Sequence, residues 1–262
     1  MKLFRGYIFP LIIGLFQSAA MISVLFVPSR SVFFSVNGAW LALLSLLHWH
    51  IAKVTRQRWP NELPLAFISY VGILGLMILA EDNFMRIFLT VLSGFTAGFL
   101  VYKAITKNLE ESSVYRIIMK PSRRLSLILW TITVLASSIS LFSAGIFFAQ
   151  IPSWCLSLLI ALVCGGAAIG VWRMYFNESG HKFMLWALLV GVGMFECAWV
   201  LMMLPLGYLV LGFVLSWVWY LSVLFVRFHF GPQGIVWRYQ GWFILTNLIL
   251  LVCLLIFFVR WI

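Results

Sequence analysis

The chain alternates between long apolar runs and short polar breaks, and the spacing of the breaks sets its architecture. Cutting at them leaves nine runs, at 7–27, 31–52, 64–80, 87–104, 125–149, 153–174, 183–203, 206–226 and 241–260. Each is close to the ~20 residues that an α-helix needs to cross a bilayer. The pattern predicts an all-α, polytopic integral membrane bundle of nine transmembrane helices, organised as a single transmembrane domain over 1–262. The turns Pro28-Ser29-Arg30, Glu81-Asp82-Asn83, Ile151-Pro152-Ser153 and Pro205-Leu206-Gly207 are short, so runs one to eight pair into four hairpins and the ninth stands alone. Read as one helix kinked at Pro205, 183–226 would reach about 66 Å, roughly twice the hydrocarbon thickness. Two helices joined by a turn fit better.

One connection has a pattern of its own. Asn108 followed by Glu111 resembles a capping box, Val114, Ile117 and Ile118 form an i, i+3, i+4 stripe, and Pro121 closes the pattern. This predicts an amphipathic interfacial helix over 109–120, with Arg116, Lys120, Arg123 and Arg124 turned toward anionic headgroups. The alternative for the same loop is a docking surface for a soluble partner.

Charge then supplies an orientation. With a cytoplasmic N-terminus, 15 of the 18 Lys and Arg residues fall inside, and only Arg30, Arg86 and Arg260 fall outside. Basic loops are retained on the cytoplasmic side, so the asymmetry predicts an N-in, C-out topology. The expected location is a plasma membrane, as a multi-pass protein of a bacterial inner membrane. Composition agrees: 64% of residues are hydrophobic and 10% charged, with mean hydropathy +1.07, against roughly 25% charged in soluble domains. The net charge of +11 therefore points to anionic lipid and away from nucleic acid, since the basic residues sit at span ends.

Candidate chemistry is sparse. Cys155, Cys164, Cys197 and Cys253 all lie within spans, in no CxxC pair, and read as small buried hydrophobes. His48 and His50, at i, i+2, point about 200° apart on a helix and cannot share one ion. No HExxH, nucleophile elbow, P-loop or GxGxxG occurs. No catalytic residue, metal site or cofactor is therefore predicted. Lys2, Arg5 and the following run also fit a signal peptide ending at Ser18-Ala19-Ala20, but apolar character continues to Val27, which favours an uncleaved span. Tryptophans near span ends, among them Trp49, Trp59, Trp154, Trp172, Trp186, Trp237, Trp242 and Trp261, are expected to sit at the interfaces.

Small residues mark where helices are expected to touch: Gly94-x-x-x-Gly98, Gly166-x-x-x-Gly170 and Ser140-x-x-x-Ala144. The fifth span is rich in hydroxyls, with Thr131, Thr133, Ser137, Ser138, Ser140 and Ser143. Either they line a wet path or they bond back to carbonyls one turn earlier.

Glu196 is the sharpest point in the chain. It lies 13 residues into its run, about 20 Å deep at 1.5 Å per residue. No Lys or Arg lies at that depth in any run. A carboxyl there costs a few kcal/mol and so marks a pathway, a relay or a ligand. Gln17, Asn37 and the hydroxyls Ser137 and Ser140 are its candidate intramembrane companions. The plainer alternative is a neutral carboxylic acid bonded to an amide across a helix contact, worth about 0.6 kcal/mol.

Glu196, Trp199 and Pro205, within Phe195-Glu-Cys-Ala-Trp-Val-Leu-Met-Met-Leu-Pro-Leu-Gly207, give about 40 residues of this region a resemblance to uncharacterised polytopic membrane proteins of small-genome bacteria. The resemblance implies no activity, substrate or cofactor. Three functions follow as expectations: a transporter or transport-complex subunit for a small or lipid-like substrate with Glu196 as coupling residue, a structural or assembly subunit with a protein partner, and a lipid-modifying membrane enzyme.

Overall fold

In the computed structural model, residues 2–24, 26, 30–54, 62–106, 115–148, 150–176, 181–230 and 234–258 are described. They are almost entirely helical: α1 Lys2–Val24, α2 Arg30–Val54, α3 Leu63–Leu79, α4 Asn83–Thr106, α5 Tyr115–Phe147, α6 Ser153–Tyr175, α7 His181–Met202, α8 Tyr208–His229 and α9 Trp237–Phe258. Among the described residues there is no strand. Helix is the form that lets an apolar run satisfy its own backbone polar groups without water. Six helices have a segment long and apolar enough to cross a membrane: Ser31–Lys53, Asn83–Ile105, Arg123–Phe147, Ser153–Tyr175, Phe183–Met202 and Tyr208–His229. Within the described side chains, α1, α3 and α9 contribute the shorter apolar segments Ile8–Val24, Leu63–Leu79 and Gln240–Cys253. The protein is a helical, multi-pass membrane protein.

Two boundaries change the sequence reading. α5 runs without a break through Pro121, so Pro121 does not end an interfacial helix. From Tyr115 onward that segment is the first part of a 33-residue helix, about 50 Å long against a hydrocarbon core of about 30 Å. Helices in membrane proteins tolerate proline where the freed carbonyl finds other partners. Residues 107–114, which hold the start of the expected 109–120 helix, lie outside the described residues. Between α7 and α8 the chain leaves helical geometry after Met202 and re-enters at Tyr208, with Gly207 extended at φ −65° and ψ 145°. Met203 and Leu204 donate to the carbonyls of Val200 and Leu201 at 3.0 Å each, closing the last turn ahead of Pro205.

The chain packs as two compact units, Met1–Thr133 and Val134–Ile262, with the boundary inside α5. In the first unit α4 is the centre, packed most extensively on α1 and also on α3 and α2. The α1–α4 contact is backbone on backbone: a Cβ on Gly14 would lie 2.7 Å from the Gly94 carbonyl oxygen, and one on Gly98 would lie 2.9 Å from that of Pro10. Gly94 and Gly98 thus act as the expected small-residue seam. Ile13, Leu44, Ile51, Ala97, Val101 and Ala104 form a buried cluster where α1, α2 and α4 meet.

In the second unit α6 packs on α7 most extensively, and α8 packs on both. Here the expected seam is displaced by one residue. A Cβ on Gly166 would meet nothing within 4 Å, whereas one on Gly165 would stand 3.2 Å from the Ala187 carbonyl oxygen and one on Gly191 would stand 3.5 Å from that of Ala161. A one-residue offset turns a helical position by about 100°, so the GxxxG spacing marks the right helix but the wrong face. The Trp172 and Trp219 indoles are fully buried and donate to the carbonyls of Val223 at 3.2 Å and Cys164 at 2.9 Å, which ties α6 to α8. Trp172 is therefore a core residue and not an interfacial anchor. Trp49, Trp154, Trp237 and Trp242 are exposed, as an interfacial belt requires, and Trp59 and Trp261 lie outside the described residues.

Candidate functional site

Beyond its opening His181 and Lys182, α7 carries one charged residue, Glu196, in an otherwise apolar sequence. Its exposed positions Leu185, Leu188, Leu189, Val192, Gly193, Glu196 and Val200 recur at three- and four-residue intervals and form a single stripe. Glu196 lies within that stripe, inside the membrane-length segment Phe183–Met202 and six residues, about 9 Å, from its end. Its carboxyl makes no hydrogen bond or ion pair with any described residue. One turn earlier, a Cβ on Gly193 would meet nothing within 4 Å, so the missing side chain leaves an open notch beside the acid. The carboxyl is turned out of the bundle, where it is available to a donor on another molecule.

The residues expected to accompany Glu196 are committed elsewhere. Gln17 is buried on α1; its amide nitrogen donates to Ser93 Oγ at 3.0 Å, and its amide oxygen accepts from the Trp40 indole. One side chain thus joins α1, α4 and α2. Asn37, buried on α2, accepts from the Tyr70 hydroxyl at 2.6 Å and donates to the Phe33 carbonyl at 2.8 Å. Both amides serve cohesion of the first unit.

Three of the six fifth-span hydroxyls bond within their own helix, α5. Thr131 donates to the Leu127 carbonyl at 3.0 Å, Ser140 to that of Ala136 at 2.8 Å and Ser143 to that of Ser140 at 2.8 Å. This is the back-bonding by which hydroxyls satisfy themselves in apolar surroundings. Ser137 has a buried hydroxyl with no partner among the described residues, as has Ser126 on the same helix. Of the four expected headgroup contacts, Arg123 and Arg124 are exposed on α5. Arg116 and Lys120 lie on the same helix, but their side chains fall outside the described residues.

Sequence reasoning passed over an ion pair. Lys103 of α4 contacts Glu62, just before α3, at 3.1 Å, and both side chains are largely buried, at 16% and 12% exposure. The signal was available in the position of Glu62 at the start of one span and Lys103 at the end of the next, since a hairpin brings those ends level. His48 is buried on α2. Its Nδ1 is 2.9 Å from the Leu44 carbonyl oxygen, which assigns the proton to Nδ1 and leaves Nε2 as a buried atom without a partner. The Glu81-Asp82-Asn83 corner is a helix cap, in which Asp82 Oδ2 accepts from the Met85 amide at 3.2 Å.

Among the described residues no group of three His, Cys, Asp or Glu side chains is placed to hold a metal ion. Cys155, Cys164, Cys197 and Cys253 are free thiols. No family model, no curated protein and no solved structure matches the chain.

Proposed function

We propose that the protein is a non-catalytic membrane subunit of a larger complex, and that the exposed face of α7 around Glu196 receives a transmembrane helix of its partner. The observation that carries this reading is the outward, unpartnered position of Glu196 on an otherwise apolar face. Left against lipid, a carboxyl at this depth costs a few kcal/mol, a cost that a hydrogen-bond donor on a neighbouring helix relieves. Gly193 permits the close helix approach that such contacts need. A second copy of this chain offers no Lys or Arg in the middle of a span, so the occupant in this reading is a different protein whose helix carries a basic side chain at matching depth.

Transport, if the complex performs it, belongs to the assembly in this reading. A coupling residue borders a wetted path, whereas Gln17 and Asn37 are engaged in helix packing and the groove beside Gly193 is lined mainly by apolar side chains. The proposal includes nine crossings and an N-in, C-out orientation, both supported by the distribution of Lys and Arg, in a bacterial-type plasma membrane. Purification from native membranes in a mild detergent tests it. Wild type and Glu196→Gln, which keeps a hydrogen-bonding side chain, should retain one partner at fixed stoichiometry, and Glu196→Leu should lose it. Isolation of all three as the same partner-free species would refute the subunit reading.

A further inference from the structure

The second unit gathers positive charge at one end. Arg173 ends α6, Arg227 and His229 end α8, and Arg238 lies in the first turn of α9. Ring contacts bring the helix ends on that side together: Phe176 with Phe183 at 5.8 Å, Phe183 with Phe230 at 5.3 Å and Trp186 with His229 at 5.0 Å between centroids. Among the described residues of this unit the one acid is Glu196, which lies toward the opposite end of α7. The charges at the aromatic end are therefore uncompensated by any described acid.

A groove of about 370 Å³ leads away from that end between α7, α8 and α9. Trp186, Leu189 and Gly193 form its α7 wall, Leu221 and Phe225 its α8 wall, and Ile244 its α9 wall. Ser222, the polar side chain among the lining residues, donates its hydroxyl to the Val218 carbonyl at 2.9 Å and is thereby satisfied. From Trp186 to Gly193 the groove follows seven residues of α7, about 10 Å of helix. His229 caps this path: it lies four residues beyond Phe225 and eight beyond Leu221 on the same stripe of α8, and its ring packs on Trp186. Trp237 packs on Phe225 with centroids 6.2 Å apart, which brings the first turn of α9, with the exposed Arg238 in it, to the same end of the groove.

We propose that this groove binds an anionic phospholipid, with one acyl chain between α7, α8 and α9 and the phosphate held by Arg238 and His229. A channel lined almost wholly by apolar groups inside the membrane offers nothing to a soluble anion along its length, whereas a lipid satisfies the cationic mouth and the apolar channel together. Arg227, stacked 3.8 Å from the Tyr175 ring centroid, adds positive field without facing the groove.

The groove shares Leu189 and Gly193 with the exposed stripe of α7, so the test uses purified protein in vesicles, where no partner helix competes for that face. Phosphatidylglycerol and phosphatidylcholine, each carrying a photoreactive diazirine in the acyl chain, are compared, and the labelled residues are mapped by mass spectrometry. Labelling of Leu189, Leu221 and Ile244 should be stronger with phosphatidylglycerol, by about five-fold for the Arg238 contact. The double variant Arg238→Gln, His229→Gln should bring the two lipids to parity, and Ile244→Trp, which fills the groove, should suppress labelling by both. Removing the α5 charges with Arg123→Gln and Arg124→Gln should leave the preference at the groove unchanged. Equal labelling by the two lipids in the wild type, or a preference that survives the double variant, would overturn the assignment.

Discussion

Gly14 and Gly94 meet backbone to backbone, close enough that a Cβ on Gly14 would stand 2.7 Å from the Gly94 carbonyl oxygen. Contact this tight leaves no room for a methyl group unless α1 and α4 separate. Gly14→Ala should therefore destabilise the protein by about 1–3 kcal/mol, the usual range for overpacking. Gly193→Ala is the matched control, because a Cβ there meets nothing within 4 Å; its effect should stay within about 0.5 kcal/mol. Thermal unfolding of both variants in detergent checks the contrast, and equal stability would mean that the seam does not exist.

Gln17 should matter for the same interface through polarity. Gln17→Leu removes the bonds to Ser93 and to Trp40 and leaves a buried hydroxyl and an indole with lost partners. Interhelical hydrogen bonds in membranes average about 0.6 kcal/mol with a maximum near 1.7, so a loss of roughly 1–2 kcal/mol is expected for the pair. Unfolding titrations of Gln17→Leu and Ser93→Ala, singly and together, should show less than additive losses. Full additivity would place the two side chains apart.

The Lys103–Glu62 contact predicts an asymmetry. Lys103→Met leaves a largely buried carboxylate without its cation, a change that costs about 3–5 kcal/mol when the pair is fully buried and less here, where both groups retain some exposure. Adding Glu62→Met to that variant should restore stability, because the unpaired charge is then gone. A double variant less stable than Lys103→Met alone would show that the pair does not form.

The helices are legible in the sequence because apolar runs of membrane length have one way to satisfy their backbone, and the break at Pro205 follows from length alone. Facing is less legible. Sequence places Trp172 at an interface and Gly166 in a seam, and the structure does neither, because hydropathy barely varies around helices that are apolar on all sides. Glu196 stands out in the sequence by depth and charge. Its outward position does not, since the direction a residue takes from the bundle depends on which neighbours its helix has. Pro121 is a stop under the rule for soluble helices, and in this chain the helix continues through it.

Orientation is the most accessible expectation. A reporter fused after Ile262 should register as external and one inserted near Asn108 as cytoplasmic, as the basic residues at 103–124 require. Reporters on the same side would leave an even number of crossings between them and would contradict the nine-span topology.

The central claim is that Glu196 faces a protein partner and not lipid, and photo-crosslinking in native membranes tests it most directly. Benzoylphenylalanine at Val192, beside Glu196 on the exposed stripe of α7, is compared with the same probe at Leu158, an exposed position on α6. A partner helix on this face predicts one discrete protein adduct from position 192, and mass spectrometry should map it to a transmembrane segment of a different protein that carries a basic side chain. That adduct should persist in Glu196→Gln and disappear in Glu196→Leu, while Leu158 yields lipid adducts only. Lipid adducts alone from both positions would contradict it.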